Sequence, residues 1–259
     1  MKKYLIALVL FWFCFGFIQQ QHIAVIGKIR DTADYSDITF WWRAEGTTLD
    51  GANDYSAGDT TATVVSEVAI AAGGRTNNAV QLVDGSNNGG DYYRFEFDVE
   101  EDLADVTTEG TMYFAFKLSV DTDYGSLVSL YLSATDRVFV MPIDTDELQV
   151  YWEEGDVTKH FKTTDLNYSA NTWYIVQVHW NASTNARSLH VYLSSTGEEV
   201  GSGATSATAI SGFTLTTSAY LAVGCQGAVN MEGFIEDVRL SKSADRDFLL
   251  LRTTDNYPG

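Results

Sequence analysis

From Asp37 onward, apolar side chains recur at every second position in short runs separated by clusters of Gly, Asn, Asp, Ser and Thr. A period of two is the spacing of a strand with one buried face, and an amphipathic helix, with its period of 3.6, cannot sustain it. With 2 Pro in 259 residues and no long run of helical period, the pattern predicts antiparallel sheet throughout. Strands are expected at 38–42, 79–83, 92–99, 111–118, 126–133, 138–142, 148–152, 173–180, 188–193, 220–225 and 233–241. That is more than one sheet of ordinary size holds, so the expected fold class is all-β, a two-sheet antiparallel β-sandwich. The stretch 196–211, rich in Gly, Ser, Thr and Ala, is expected as a long loop inside one domain, because the strands after it have no core of their own.

Alternation also assigns faces. Tyr174, Val176, Val178 and Trp180 fall on one side of their strand, and Trp173, Ile175, Gln177 and His179 on the other. The next run repeats the division, with Leu189, Val191 and Leu193 inward, His190 and Tyr192 outward, and 181–187 as the connecting turn. No repeat of solenoid or propeller length is visible.

Three features bound the setting. The formal charge of −19 opposes an anionic membrane surface or a nucleic-acid backbone, so no nucleic-acid partner is expected. Met1, Lys2 and Lys3 lead into an apolar run from Tyr4 to Ile18 and then three glutamines, the layout of a secretory signal segment over 1–21 followed by a domain over 22–259. The run is shorter than the ~20 residues of a membrane helix, so no stable span is expected once it is removed, and the chain is expected to be secreted or to lie on the cell-envelope exterior. Removing that segment also removes Cys14 and leaves Cys225 alone, so the core rather than a disulfide has to stabilise the fold.

Three blocks in series carry a family resemblance. The first is Thr39-Phe40-Trp41-Trp42-Arg43-Ala44-Glu45-Gly46 with Ala79-Val80-Gln81-Leu82-Val83-Asp84-Gly85; the second is Asn171-Thr172-Trp173-Tyr174-Ile175-Val176-Gln177-Val178 with Leu189-His190-Val191-Tyr192-Leu193. The third is Leu221-Ala222-Val223-Gly224 followed by Met231-Glu232-Gly233-Phe234-Ile235-Glu236-Asp237-Val238-Arg239-Leu240-Ser241. Together they resemble the laminin-G-like jelly-roll modules of the concanavalin A-like lectin and glucanase superfamily. The resemblance implies a sandwich with one concave sheet, and it implies a structural Ca²⁺ held by Glu45, Gly85 and Asp237, oxygen donors suited to a hard cation. It does not select a function, because this fold serves lectins, adhesion modules and hydrolases alike.

Two further sets of residues carry candidate chemistry. Alternation places Glu96, Asp98 and Glu100 on one face, and retaining glycosidases need two carboxylates about 5 Å apart. Similarity to the laminarinase-type hydrolases of the superfamily would make Glu96 the nucleophile, Asp98 the orienting carboxylate and Glu100 the acid/base; the competing reading is an ordinary solvated strand. Tyr131, Tyr151, Trp152, Gln177, His179, His190 and Tyr192 combine flat rings with hydrogen-bonding groups, the mixture a glycan groove requires, and the competing reading is cross-strand pairing on outer faces. The expected function is therefore a non-catalytic binding module for glycan or a cell-surface or extracellular protein. The alternatives are the laminarinase-type hydrolase and a self-assembling protein of a surface layer, filament or particle coat.

Overall fold

In the computed structural model of this chain, residues 37–42, 44, 61–65, 69–75, 78–82, 91–96, 103–119, 125–144, 147–163, 166, 168–205, 208–226 and 232–244 are described. In chain order the strands are β1 (Ile38–Trp42), β2 (Thr61–Val65), β3 (Ala69–Ala72), β4 (Asn78–Leu82), β5 (Asp91–Glu96) and β6 (Glu109–Leu118). They continue as β7 (Ser126–Tyr131), β8 (Arg137–Asp144), β9 (Glu147–Glu154), β10 (Val157–Thr158) and β11 (Phe161–Lys162). The last are β12 (Tyr174–Asn181), β13 (Ala186–Leu193), β14 (Glu199–Thr205), β15 (Tyr220–Gln226) and β16 (Gly233–Ser241). The expected signal segment 1–21 lies outside the described residues, which fall within the compact unit Asp37–Phe248.

The strands form two 8-stranded antiparallel sheets. Sheet A runs β14-β13-β12-β6-β16-β4-β3 with β1 also on β16, and sheet B runs β10-β9-β8-β7-β15-β5-β2 with β11 also on β9. One apolar core lies between them: Phe114, Val176, Trp180 and Leu189 come from sheet A, and Leu130, Val140, Trp152 and Leu221 from sheet B. The expected all-β two-sheet sandwich is thus the fold. The face assignment along β12 holds as well, since Tyr174, Val176, Val178 and Trp180 are all core residues.

Residues 196–211 are not a loop throughout. Glu199–Thr205 is an edge strand paired with β13, and its glycines reflect crowding rather than turn chemistry. A Cβ on Gly203 would run into the Lys162 carbonyl, and one on Gly201 would come within 2.7 Å of Leu166 Cδ1. Small residues are what let the edge of sheet A close on the β11 segment at the edge of sheet B. Gly203→Ala is accordingly expected to destabilise the fold by about 1–3 kcal/mol, because the obstacle is backbone and cannot swing aside; a thermal melt indistinguishable from wild type would refute the crowding account.

Residues 208–211 are irregular but pinned. Glu154 Oε1 accepts from the Ser211 amide (2.6 Å), Lys159 Nζ donates to the Ala209 carbonyl (2.7 Å), and Arg187 donates to the Thr208 carbonyl (2.8 Å). Burial pushes the Glu154 carboxyl up, but the hydrogen bonds from Ser211 and Lys159 outweigh it and hold that carboxyl below its ordinary value.

Candidate functional site

The glycan-surface residues expected from sequence divide between the two sheets. On β7 and β9 the neighbours of Tyr131 and Tyr151, namely Leu130, Val150 and Trp152, point into the core, so both tyrosines stand on the outer face of sheet B. Gln177, His179, His190 and Tyr192 stand on the outer face of sheet A by the same argument. A two-layer sandwich sends these faces in opposite directions, so one groove cannot contain both sets.

Trp152 belongs to neither face. It is 1% exposed, packs edge-on against Trp180 with ring centroids 6.0 Å apart, and lies 4.5 Å from the Phe213 ring. Its even-numbered place in β9 points it inward with Leu148 and Val150, which the strand alternation already required. On sheet B the exposed-side rings are spent on one another: Tyr131 stacks on Tyr220 (4.6 Å, 10°), and Phe139 stacks on Tyr151 (4.4 Å, 9°). Arg137, paired with Glu153, lies over the Tyr151 ring. These are cross-strand pairs that stabilise the sheet.

Asp237 sits at a bulge in β16, where the register slips between Glu236 and Arg239 and its own φ is +55°. The slip lets Glu236 and Asp237 both face away from the core. Oδ1 of Asp237 accepts from the Trp41 indole (2.7 Å) and Arg239 Nε (2.8 Å), and Oδ2 from Arg239 (2.6 Å) and Arg75 (3.1 Å). Arg75 also pairs with Glu236, and the Arg239 guanidinium lies 4.1 Å from the Trp41 ring centre and 4.7 Å from that of Tyr113. Both Asp237 oxygens are therefore committed to cationic and indole donors, an arrangement that anchors the 73–75 turn to β16. Glu45 and Gly85, the other expected calcium ligands, lie outside the described residues. Among the described residues, no group of three or more His, Cys, Asp or Glu side chains gathers at metal-binding range. Glu96 ends β5 directly opposite Tyr220, and Asp98 and Glu100 lie outside the described residues.

The outer face of sheet A holds a recess of about 360 Å³ at the β12–β13 hairpin end, lined by His179, Asn181, Thr184, Ser188, His190 and Ala244 among others. The hairpin is closed by Asn181, whose Oδ1 accepts from Ser183 Oγ (2.6 Å) and the Thr184 amide (3.1 Å), and by Asn185 at φ +57°. Register sets His179 opposite Ser188 and Gln177 opposite His190. The His179 and His190 rings lie 5.6 Å apart and nearly perpendicular.

Hydrogen-bond partners determine which ring nitrogens carry protons. Thr111 Oγ1 donates to the Ser243 carbonyl (2.6 Å), and the Ala244 carbonyl lies 2.8 Å from His179 Nδ1; a carbonyl only accepts, so Nδ1 of His179 donates, while its Nε2 lies 3.2 Å from Gln177 Oε1. Glu199 Oε1 lies 2.7 Å from His190 Nδ1, which likewise donates. His190 Nε2 is then left to accept from Ser188 Oγ at 3.1 Å. Sequence reading picked out both histidines but not Ser188 or Glu199. Ser188 was legible from its i, i−2 relation to His190, whereas Glu199 was hidden by the reading of 196–211 as a loop.

No protein-family model matches this sequence, and no curated protein does. Among solved structures, the chain is similar to the binding domain of botulinum neurotoxin DC in complex with SialylT, at 10% identity and TM-score 0.60, over 84% of this chain and 50% of that one. It is similar to the same binding domain in complex with rat synaptotagmin II, at 11% identity and TM-score 0.62, over 86% and 52%. It is also similar to domain 4 of AbnA, a GH43 extracellular arabinanase from Geobacillus stearothermophilus, in complex with arabinotriose: 15% identity, TM-score 0.56, over 85% of this chain and 97% of that one. The chain spans about half the length of the neurotoxin binding domains. At these identities the likeness concerns the fold.

Proposed function

We propose that this chain is an exported recognition module of the laminin-G-like kind that binds glycan through the outer face of sheet A at the β12–β13 recess. The observation that carries the reading is the recess itself. At about 360 Å³ it lies in the size range of small-ligand sites, and it brings imidazole, hydroxyl and amide groups to one concave point on the sheet. Support also comes from the solved structures of like fold, two of which hold SialylT and arabinotriose. Residues 1–21, basic and then apolar, motivate export. The structural calcium of this proposal is held through Glu45 and Gly85, since the Asp237 carboxylate is engaged by guanidinium and indole donors.

Gel affinity electrophoresis of the chain against neutral and acidic polysaccharides, with calcium and with chelator, tests this. Retardation by one polysaccharide is expected. His190→Ala should weaken it about tenfold, the value of one hydrogen bond to ligand, while Tyr131→Ala on the opposite sheet leaves it unchanged. No retardation by any polysaccharide would move the reading to a protein partner, the kind of ligand held in the neurotoxin domain bound to synaptotagmin.

A further inference from the structure

Within that recess we infer a second capacity: Ser188, His190 and Glu199 form a nucleophile, base and orienting carboxylate able to cleave a small acyl ester. Such triads are recognised by geometry and role, since they recur on unrelated folds and in different chain orders. Here Glu199 Oε1 is 2.7 Å from His190 Nδ1, and His190 Nε2 is 3.1 Å from Ser188 Oγ, both within the hydrogen-bond reach such a relay requires.

The fold supplies this arrangement by simple means. Ser188 and His190 are two apart on β13, so alternation sends both to the outer face, and Glu199 reaches His190 from β14 on the neighbouring edge. The carboxylate takes the Nδ1 proton and so leaves Nε2 as the basic nitrogen facing the hydroxyl. Neither His190 nor Glu199 is buried, their side chains being 32% and 44% exposed, so an ester can reach them.

The chemistry balances with water as the only co-reactant. Ser188 Oγ bonds to the acyl carbon as its proton passes to His190 Nε2, and the ester's C–O bond breaks as the departing alkoxide takes that proton. Water, deprotonated by His190, then attacks the acyl carbon; the Oγ–acyl bond breaks, the carboxylic acid leaves, and the proton returns to Ser188. The substrate class is an acyl ester small enough for a recess of about 360 Å³, the size range of small-ligand sites. Glu199 acts through His190 and is a positioning residue.

The test is covalent capture of the full chain by an alkyl fluorophosphonate, read by mass spectrometry of the peptide carrying residue 188, together with hydrolysis of an aryl acetate. Modification of Ser188 is expected, absent in Ser188→Ala and slowed about a hundredfold in His190→Gln, the lower end of what a general base contributes. Glu199→Gln should lower kcat for the acetate with KM unchanged. No adduct at residue 188, or an adduct whose rate His190→Gln leaves unaltered, overturns the relay. In the wild-type chain, an adduct at Ser188 without polysaccharide retardation, or retardation without the adduct, separates this inference from the glycan reading.

Discussion

Asp237→Asn is expected to lower the stability of this domain by about 3–5 kcal/mol, the cost of removing one partner from a buried ion pair. Asparagine tolerates the left-handed backbone at this bulge, so the substitution removes charge without adding backbone strain. What it leaves behind is the damage. Arg239, 4% exposed between the Trp41 and Tyr113 rings, loses the carboxylate that bonds it twice, and Arg75 keeps Glu236 and a longer bond to Ser194 Oγ at 3.4 Å. At about 2–4 °C per kcal/mol for a domain of this size, the melting temperature should fall by several degrees at least. A loss under about 1 kcal/mol, typical of an exposed pair, would show that the network is solvated.

The same residue carries a pH signature. Burial pushes the Asp237 carboxyl up, but Arg239, Arg75 and the Trp41 indole outweigh that and hold it below the ordinary carboxylate value. A carboxyl depressed in the folded state binds protons more readily when unfolded. Its contribution is therefore complete above the unfolded value of about 3.9 and is lost as pH falls from there through the folded one. Wild type should lose stability over that acid limb more steeply than Asp237→Asn does, measured by urea midpoints at a series of pH values. Parallel curves would contradict the assignment.

Trp180→Ala should be of similar size, about 3–5 kcal/mol, because it opens a cavity at the meeting point of the two sheets and leaves the Val106 carbonyl without the indole donor now at 2.9 Å. The ring fits only because residue 110 is glycine: a Cβ there would collide with Trp180 Cζ2 and come within 2.9 Å of the Ser241 carbonyl. Gly110→Ala alone is expected to cost about 1–3 kcal/mol by overpacking, and much less in the Trp180→Ala background, where the ring no longer obstructs. Additive losses in that double-mutant cycle would mean the Ser241 carbonyl, not the indole, sets the need for glycine.

Strand period determined most of the fold class. It placed β1, β4 to β9, β12, β13, β15 and β16 and sorted the faces of β12 and β13, because a strand with one buried side writes its core into every second residue. The same rule put Trp152 inward; the surface reading of that residue set aside its own parity in favour of residue type. Where tertiary contacts override local chemistry, the sequence was silent. β14 looked like a loop because glycine at 201 and 203 answers to a neighbouring backbone rather than to a turn, and β2, β3, β10 and β11 are short or carry little alternation. Alternation along a strand says which side chains share a face, but sheet membership comes from pairing between distant strands. Only the tertiary structure could therefore part Tyr131 and Tyr151 from His179 and His190, commit Asp237 to two arginines from separate segments, and bring Glu199 across an edge to the histidine beside Ser188.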